Sequence, residues 1–157
     1  MTVTADVVSA ITDHHRELQQ ALGAHVDAVV TAARNDRPHD EATTHLRRLL
    51  AQDIVPHARA EEDVLYAAAI APTLRPLVAG MIFEHETLIG LSDRLAATTT
   101  AVDAAATAYA IKAVFDGHVR RENELLLPAL ADDTTVDLPG LLPVMEQRFT
   151  AYRAAAS

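Results

Sequence analysis

Apolar side chains recur every three or four residues along most of the chain, a spacing that predicts helices with one buried face. Short polar turns interrupt this pattern and divide it into four long stretches and one shorter one. The predicted helices run from about Thr4 to about Ala33, from Asp40 to about Ile70, from a first turn containing Pro76 to about Ala97, and from Asp103 towards Pro128. A fifth helix is predicted at about 140–156.

Polar residues at three helix starts are predicted to cap the free N–H groups of the first turn: Thr4, Asp40 and Asp103. Pro56 lies inside the second helix. Because proline removes one backbone hydrogen bond and clashes with the carbonyl four residues back, it predicts a kink just ahead of His57.

The apolar rows define the predicted core. They comprise Ile11, Leu18, Leu22 and Val29, then Leu46, Leu49, Leu50, Ile54, Val64 and Leu65, then Val78, Ile82, Leu88, Ile89 and Leu95, and finally Ile111, Val114, Phe115, Leu125 and Ala129. Short turns force successive helices to pack antiparallel. The sequence therefore predicts an all-α, up-down-up-down four-helix bundle, about residues 5–131, with a short additional C-terminal helix, in a single domain spanning 1–157.

Composition agrees with this class and narrows the chemistry. Half of the 157 residues are hydrophobic and only 4% are aromatic, which favours close-packed helices. The formal net charge of −9 argues against nucleic acid and anionic membrane surfaces as partners. With no membrane-spanning run and no secretory signal, we expect a cytoplasmic protein. Because cysteine is absent, any metal must be bound by His, Asp or Glu.

Two His-x-x-x-Glu pairs stand out among the eight histidines. Residues four apart lie on one face of a helix, so His57 with Glu61, and His118 with Glu122, each direct an imidazole and a carboxylate towards one point. Both pairs continue the apolar rows of their helices. These two inward-facing pairs are therefore candidate functional residues.

The first and third helices each add one inward histidine, His15 and His85. Counted from the connecting turns, the four histidines differ in height by about three residues or fewer, which is less than one helical turn. Buried imidazoles and carboxylates are costly without partners, and a cation would satisfy them all. Nitrogen and oxygen donors favour iron or another first-row metal over calcium, and two bridging glutamates favour two ions, with zinc or manganese as alternatives.

These motifs make the chain resemble the hemerythrin-like proteins with an HHE cation-binding domain. The resemblance covers roughly residues 7–130, through His-Arg-Glu-Leu at 15–18, His-x-x-x-Glu-Glu at 57–62, Glu-His-Glu at 84–86 and the pair at 118–122 running into Leu-Leu-Pro at 126–128. It implies a hemerythrin-like bundle with a non-haem centre of two iron ions and an oxo, hydroxo or water bridge. In that centre Glu61 and Glu122 bridge the ions, and the terminal ligands are His15, His57, His85 and His118.

The resemblance breaks at Ile89, where oxygen-carrying hemerythrins have a second histidine one turn beyond the position of His85. Those proteins also have a five-residue His-to-Asp step where this chain has the step from His118 to Glu122. One coordination position should therefore be open, or filled by water, by substrate or by a nearby group. The candidates for that group are His14, Glu62, Glu86 and Tyr66.

Several neighbouring residues have a simpler interpretation. His14 is the alternative to His15 as a ligand, whereas His25, His39 and His45 are predicted to be surface residues. The remaining acidic residues near the motifs are expected to pair with basic side chains or water, or to support the ligands: Glu62, Glu84, Glu86 and Glu124. The C-terminal helix is predicted to cover one end of the bundle, with a dimer interface as the alternative.

The function implied by the resemblance is binding of, or reaction with, dioxygen, peroxide or nitric oxide, so the expected partner is a small diatomic ligand or peroxide. No catalytic residue beyond the metal centre is evident. An oxidoreductase that decomposes peroxide, as a catalase does, and an iron-responsive or oxygen-responsive module without turnover both remain open. A metal-free structural bundle is a third alternative, and both a monomer and a homodimer fit the sequence.

Overall fold

A computed structural model describes residues 3–156 and shows five helices in this range, with no strand. They are α1 (Val3–Arg34), α2 (Asp40–Leu49, Leu50–Ile54, Val55–Glu61 and Glu62–Tyr66 in one run), α3 (Arg75–Ala96), α4 (Ala101–Arg121, Glu122–Leu126 and Leu127–Asp132 in one run) and α5 (Leu138–Ala155). Helix α1 packs against α2 and α4, and α3 packs against the same two helices. The predicted helical bundle is confirmed.

Two prolines are each preceded by a widened helical turn. Leu50–Ile54 is π-helical, and the N–H of Val55, the residue before Pro56, donates to the carbonyl of Leu50 five residues back. Glu122–Leu126 repeats this arrangement ahead of Pro128. A π turn accommodates the backbone bond that proline cannot make. The disturbance predicted at Pro56 therefore takes the form of a π turn that ends two residues ahead of it, at Ile54.

The π turn in α4 changes which residues face inward. An ordinary helix would place Leu125 and Leu126 on the buried face together with Glu122, but Leu125 is 53% exposed, whereas Leu126 and Leu127 are fully buried. Ala129 is only half-buried, and Leu130 lies in the core instead. A π turn holds one extra residue, so every position beyond it rotates around the helix axis. The inward positions predicted for Leu125 and Ala129 were wrong for this reason.

The helix starts also differ from the predicted caps. Thr4 lies inside α1, and Asp40 is the first residue of α2, where His39 holds the cap position without a side-chain bond. At the start of α4 the cap is Thr100, whose hydroxyl oxygen accepts from the N–H of Asp103 at 3.1 Å. Asp103 is therefore the third residue of the helix, and its N–H is one of the donors that need a cap.

The apolar core forms two clusters along the bundle. The first core cluster contains Leu22, Val26, Leu46, Leu95 and Ile111, and the second contains Ile11, Leu65, Met81, Leu126 and Leu130. Helix α5 adds Leu138 and Met145 to the second cluster and packs along the Val55–Glu61 and Glu62–Tyr66 stretches of α2, so it covers the side of the bundle near that end. The six predicted metal ligands lie at the boundary of the two clusters in the sequence of each helix, with Ala60 of the second cluster and Val119 of the first standing among them. No helix in the described range is both long and apolar enough to cross a membrane.

Candidate metal centre

Six polar side chains from four helices meet in the interior of the bundle. None of them is more than 4% exposed, and they are the predicted His15 of α1, His57 and Glu61 of α2, His85 of α3, and His118 and Glu122 of α4. A buried cluster of this size must satisfy its polar atoms internally or through a bound cation.

Glu61 stands at the junction of two groups of donor atoms. Its Oε1 atom lies 3.0 Å from Nε2 of His15 and 2.7 Å from Nε2 of His57. Its Oε2 atom faces the other way, 3.6 Å from Nε2 of His85 and 4.0 Å from Nε2 of His118. Within each group the donor atoms lie within 4.8 Å of one another. We call these the His15/His57 group and the His85/His118 group; both include Glu61.

Glu122 lies between the same two groups. Its Oε2 atom is 3.3 Å from Nε2 of His15 and 3.8 Å from Nε2 of His118. Both oxygens of Glu122, and Oε2 of Glu61, are buried without a hydrogen-bond partner among the described residues. Buried oxygens without partners are costly, and a cation would supply the missing interaction. The cluster therefore fits a metal site.

The two carboxyl groups are electrostatically unequal. Burial alone would raise the pKa of Glu61, but the adjacent His57 and His15 outweigh burial and hold that pKa well below its usual range. Burial raises the pKa of Glu122 well above its usual range, and the negative charge of Glu61 raises it further. Without a cation, the pair thus favours one ionised carboxylate and one protonated carboxyl group.

The pKa values of two of the histidines are also shifted in opposite directions. Burial lowers the pKa of His118 to about 3 against the opposing charge of Glu61, so this imidazole stays neutral. Burial also acts to lower the pKa of His15, but the hydrogen bond and charge of Glu61 are stronger and raise it. A neutral imidazole is the form that binds a metal, so His118 is ready for coordination over a wide pH range.

Three of the four histidines have an oxygen partner at the ring nitrogen that faces away from the cluster. The Nδ1 atom lies 2.8 Å from Oδ1 of Asn123 for His15, 2.7 Å from Oε1 of Glu62 for His85, and 3.1 Å from Oε2 of Glu84 for His118. Glu84 in turn forms an ion pair with Arg121. The structure gives Nδ1 of His57 no such partner among the described residues.

These outer partners were the part of the site that sequence reasoning missed or left undecided. Asn123 has no role in the sequence prediction, although it directly follows Glu122. Glu62 and Glu84 are predicted from sequence to pair with basic side chains or water, or to support the ligands, and each adjoins a predicted ligand in the chain. Adjacency to a ligand was the available signal, since the ring nitrogen that does not bind metal commonly donates to a nearby oxygen.

Other histidines stay outside the cluster. His15, not His14, brings its imidazole to Glu61; the half-buried His14 ring instead packs 4.9 Å from that of His57 and 5.6 Å from that of Phe149. His45 is exposed, and His25 and His39 are half-buried away from the six residues.

Ile89 does not line the centre. Its side chain is 39% exposed, and it borders a surface depression with Pro56 and Tyr152. The inward position predicted for Ile89 was therefore wrong, because Leu88, three residues beyond His85, occupies the buried face of α3.

Tyr66 fills space beside the His85/His118 group. Its ring stacks on that of His85 at 5.6 Å with an interplanar angle of 12°, and its hydroxyl oxygen lies 3.4 Å from Nε2 of His118. Burial raises the pKa of the phenol, and the charges of Glu61 and Glu122 raise it further. Tyr66 thus keeps its proton and places an O–H group at the edge of the cluster.

A cavity of about 430 Å³ approaches the centre from the opposite side, between α1, α2 and α5. His14 and His57 line it together with Ile11, Met145 and Phe149. The ring of His57 therefore separates this cavity from Glu61, and α5 provides much of its wall.

Comparison with known proteins identified one family relationship. A family model described as the hemerythrin HHE cation binding domain matches residues 6–130, a range that contains all six clustered residues and ends before α5. No curated protein and no solved structure matches the chain.

Proposed function

Because the chain belongs to the hemerythrin HHE cation-binding domain family, we propose that its buried cluster holds two iron ions and that the protein binds or reacts with dioxygen, peroxide or nitric oxide. The proposed ligands are His15, His57, Glu61, His85, His118 and Glu122. The observation that carries the proposal is the position of Glu61, whose two oxygens face two separate pairs of histidines. One carboxylate placed in this way suits a bridge between two ions.

The composition of each group supports iron. Two histidines and one carboxylate form the donor set with which non-haem iron is bound while coordination positions stay open for an external ligand. Glu122, close to both groups, would be a second bridge. Zinc and manganese accept similar donors and are the alternatives that elemental analysis distinguishes from iron.

The remaining residues prepare the environment of the site. When bound, an iron pair would supply reversible redox change and an open coordination position. The two apolar core clusters flank the six proposed ligands along the bundle and exclude bulk water from them on both sides. The O–H of Tyr66 is a hydrogen-bond donor at the edge of the His85/His118 group, where it could donate to an oxygen-containing ligand.

A second candidate function is favoured by the unpaired oxygens of Glu61 and Glu122. If these atoms destabilise the metal-free bundle, ion binding would stabilise it strongly, and a partner could read that folded state without any turnover. This is the iron-responsive module anticipated from sequence. A large metal-dependent rise in thermal stability without reaction with oxygen or peroxide would favour it.

The decisive experiment is anaerobic loading of the full chain with Fe²⁺, followed by elemental analysis and optical and Mössbauer spectroscopy. We expect about two iron atoms per chain with spectra of coupled ions, and spectral changes on adding nitric oxide, air or hydrogen peroxide. One iron atom per chain, or none, would contradict the proposal of two ions. Two iron atoms that respond to none of the three reagents would contradict the proposed reactivity.

A further inference from the structure

The two ion-binding groups differ in what holds their histidines from outside. Both histidines of the His85/His118 group face a carboxylate, Glu62 at 2.7 Å and Glu84 at 3.1 Å. In the other group, His15 faces the uncharged amide of Asn123 at 2.8 Å, and His57 has no outer partner among the described residues.

We infer that the two positions are unequal, so that the first metal ion binds at the His85/His118 group and the second, more weakly, at the His15/His57 group. This inference rests on the proposed function, because it concerns the order of filling of the same centre. The residues that set this order are Glu62, Glu84 and Asn123. They act through the histidines and are positioning residues.

The physical reason lies in the proton on the outer nitrogen. A histidine that binds metal through Nε2 carries its proton on Nδ1 and donates it to the outer partner. A carboxylate in that place fixes the ring and makes the imidazole a stronger electron donor, which raises affinity for a cation. An amide oxygen fixes the ring of His15 but brings no charge. The ring of His57 is held by neither kind of partner.

Glu62 is expected to contribute more than Glu84. Its oxygen is the closer of the two to the imidazole, and Arg121 offsets part of the charge of Glu84 through its ion pair. Arg121 also holds Glu84 in position, because the other oxygen of that carboxylate remains free to face His118.

Glu122 favours binding of the first ion at the His15/His57 group instead, but only weakly. Its Oε2 atom lies 3.3 Å from Nε2 of His15 and 3.8 Å from Nε2 of His118, so it favours the His15/His57 group by only a small difference in distance. The outer carboxylates, in contrast, are present on one side and absent from the other. The His15/His57 group is also the one that borders the cavity, through the ring of His57.

The test is a titration of the metal-free full-length protein with Zn²⁺, followed by nuclear magnetic resonance of ¹⁵N-labelled histidine rings. At one equivalent, we expect the ring signals of His85 and His118 to reach their metal-bound positions while those of His15 and His57 remain near their metal-free positions. A chelator competition in parallel should resolve two dissociation constants.

Three variants and one control test the cause. Glu62→Gln should weaken the first binding step by about 10- to 100-fold, Glu84→Gln should weaken it less, and both should leave the second step unchanged. Asn123→Asp should strengthen the second binding step and reduce the difference between the two dissociation constants. Glu17→Gln, at a carboxylate whose side chain is 78% exposed, should change neither step. Helical circular dichroism should be the same in all forms.

The possible results distinguish a wrong order of filling from the absence of a metal site. Three results would overturn the order of filling and leave the metal site standing. They are a response of His15 and His57 before the others, a simultaneous response of all four histidines, and an effect of Glu62→Gln no larger than that of Glu17→Gln. Absence of Zn²⁺ binding by the unmodified protein would overturn the metal site and the order with it.

Discussion

Glu61 and Glu122 approach the same imidazole from two helices: Nε2 of His15 lies 3.0 Å from Oε1 of Glu61 and 3.3 Å from Oε2 of Glu122. Both carboxyl groups are fully buried, yet the pKa of Glu61 is lowered by His57 and His15 against the effect of burial, and that of Glu122 is raised by burial. In the metal-free protein, the neighbouring histidines therefore stabilise the carboxylate of Glu61, whereas burial of Glu122 destabilises the fold.

This difference predicts opposite effects of two isosteric substitutions on the stability of the metal-free protein. At neutral pH, Glu61→Gln removes the partner of two histidines and should lower the free energy of unfolding by about 1–3 kcal/mol. Glu122→Gln removes a carboxyl group that is costly to bury and should leave that free energy unchanged or raise it by about 1 kcal/mol. Urea denaturation in the presence of a chelator measures both. Equal destabilisation by the two variants would refute the assignment.

Metal binding should respond differently, because both carboxylates are proposed bridges. Glu61→Gln and Glu122→Gln should each weaken ion binding by at least about 100-fold, or leave fewer than two ions per chain after gel filtration. Glu41→Gln, on an exposed part of α2, is the matched control and should bind as the unmodified chain does. Elemental analysis decides the question, and equal metal content in all three variants would place the site elsewhere.

Acidification should weaken metal binding, and the sign follows from the shifted groups. The raised pKa of His15 means that a proton competes with the metal at that nitrogen from above the ordinary value of 6.5 downwards. The raised pKa of Glu122 adds a second competing proton, whereas the neutral His118, with a pKa of about 3, adds none. Apparent affinity should fall by about tenfold per pH unit for each proton displaced as pH drops from about 8 to about 5.5. Affinity independent of pH in competition titrations would contradict ligation by these groups.

The cavity beside His57 should be a route by which small molecules reach the centre. Phe149→Trp enlarges a side chain of the cavity wall and should slow removal of bound metal by a small chelator, by about tenfold, without changing the metal content. Phe83→Trp, at a ring that is 69% exposed on α3, is the control. Stopped-flow measurement of metal release compares the variants, and identical rates would show that access occurs from another side.

The π turn in α4 predicts contrasting costs for two adjacent leucines. Leu126→Ala should lower the free energy of unfolding by about 2–5 kcal/mol, because Leu126 is fully buried in the second core cluster. Leu125→Ala should change it by no more than about 0.5 kcal/mol, since that side chain is 53% exposed. Thermal or urea denaturation of both variants is the check. A cost for Leu125→Ala that equals or exceeds that for Leu126→Ala would contradict the outward rotation of Leu125.

The helices and the inward histidines could be predicted from sequence because both depend on local spacing. Apolar positions at helical intervals defined five helices, and the four-residue steps from His57 to Glu61 and from His118 to Glu122 defined two shared faces. Counting residues from the turns was enough to bring the histidines to one level, because the rise per residue of a helix is constant.

Tertiary structure alone decided the details that depend on contacts between helices or on departures from regular geometry. The π turn before Pro128 rotated Leu125 outwards, since one inserted residue shifts every later position. The oxygen that faces His15 comes from Asn123, 108 residues away, and those that face His85 and His118 come from Glu62 and Glu84 on other helices. Local spacing shows which face of its own helix a side chain occupies. Only the packing of the bundle shows which atom it meets on another, and here that packing makes the two halves of the centre different.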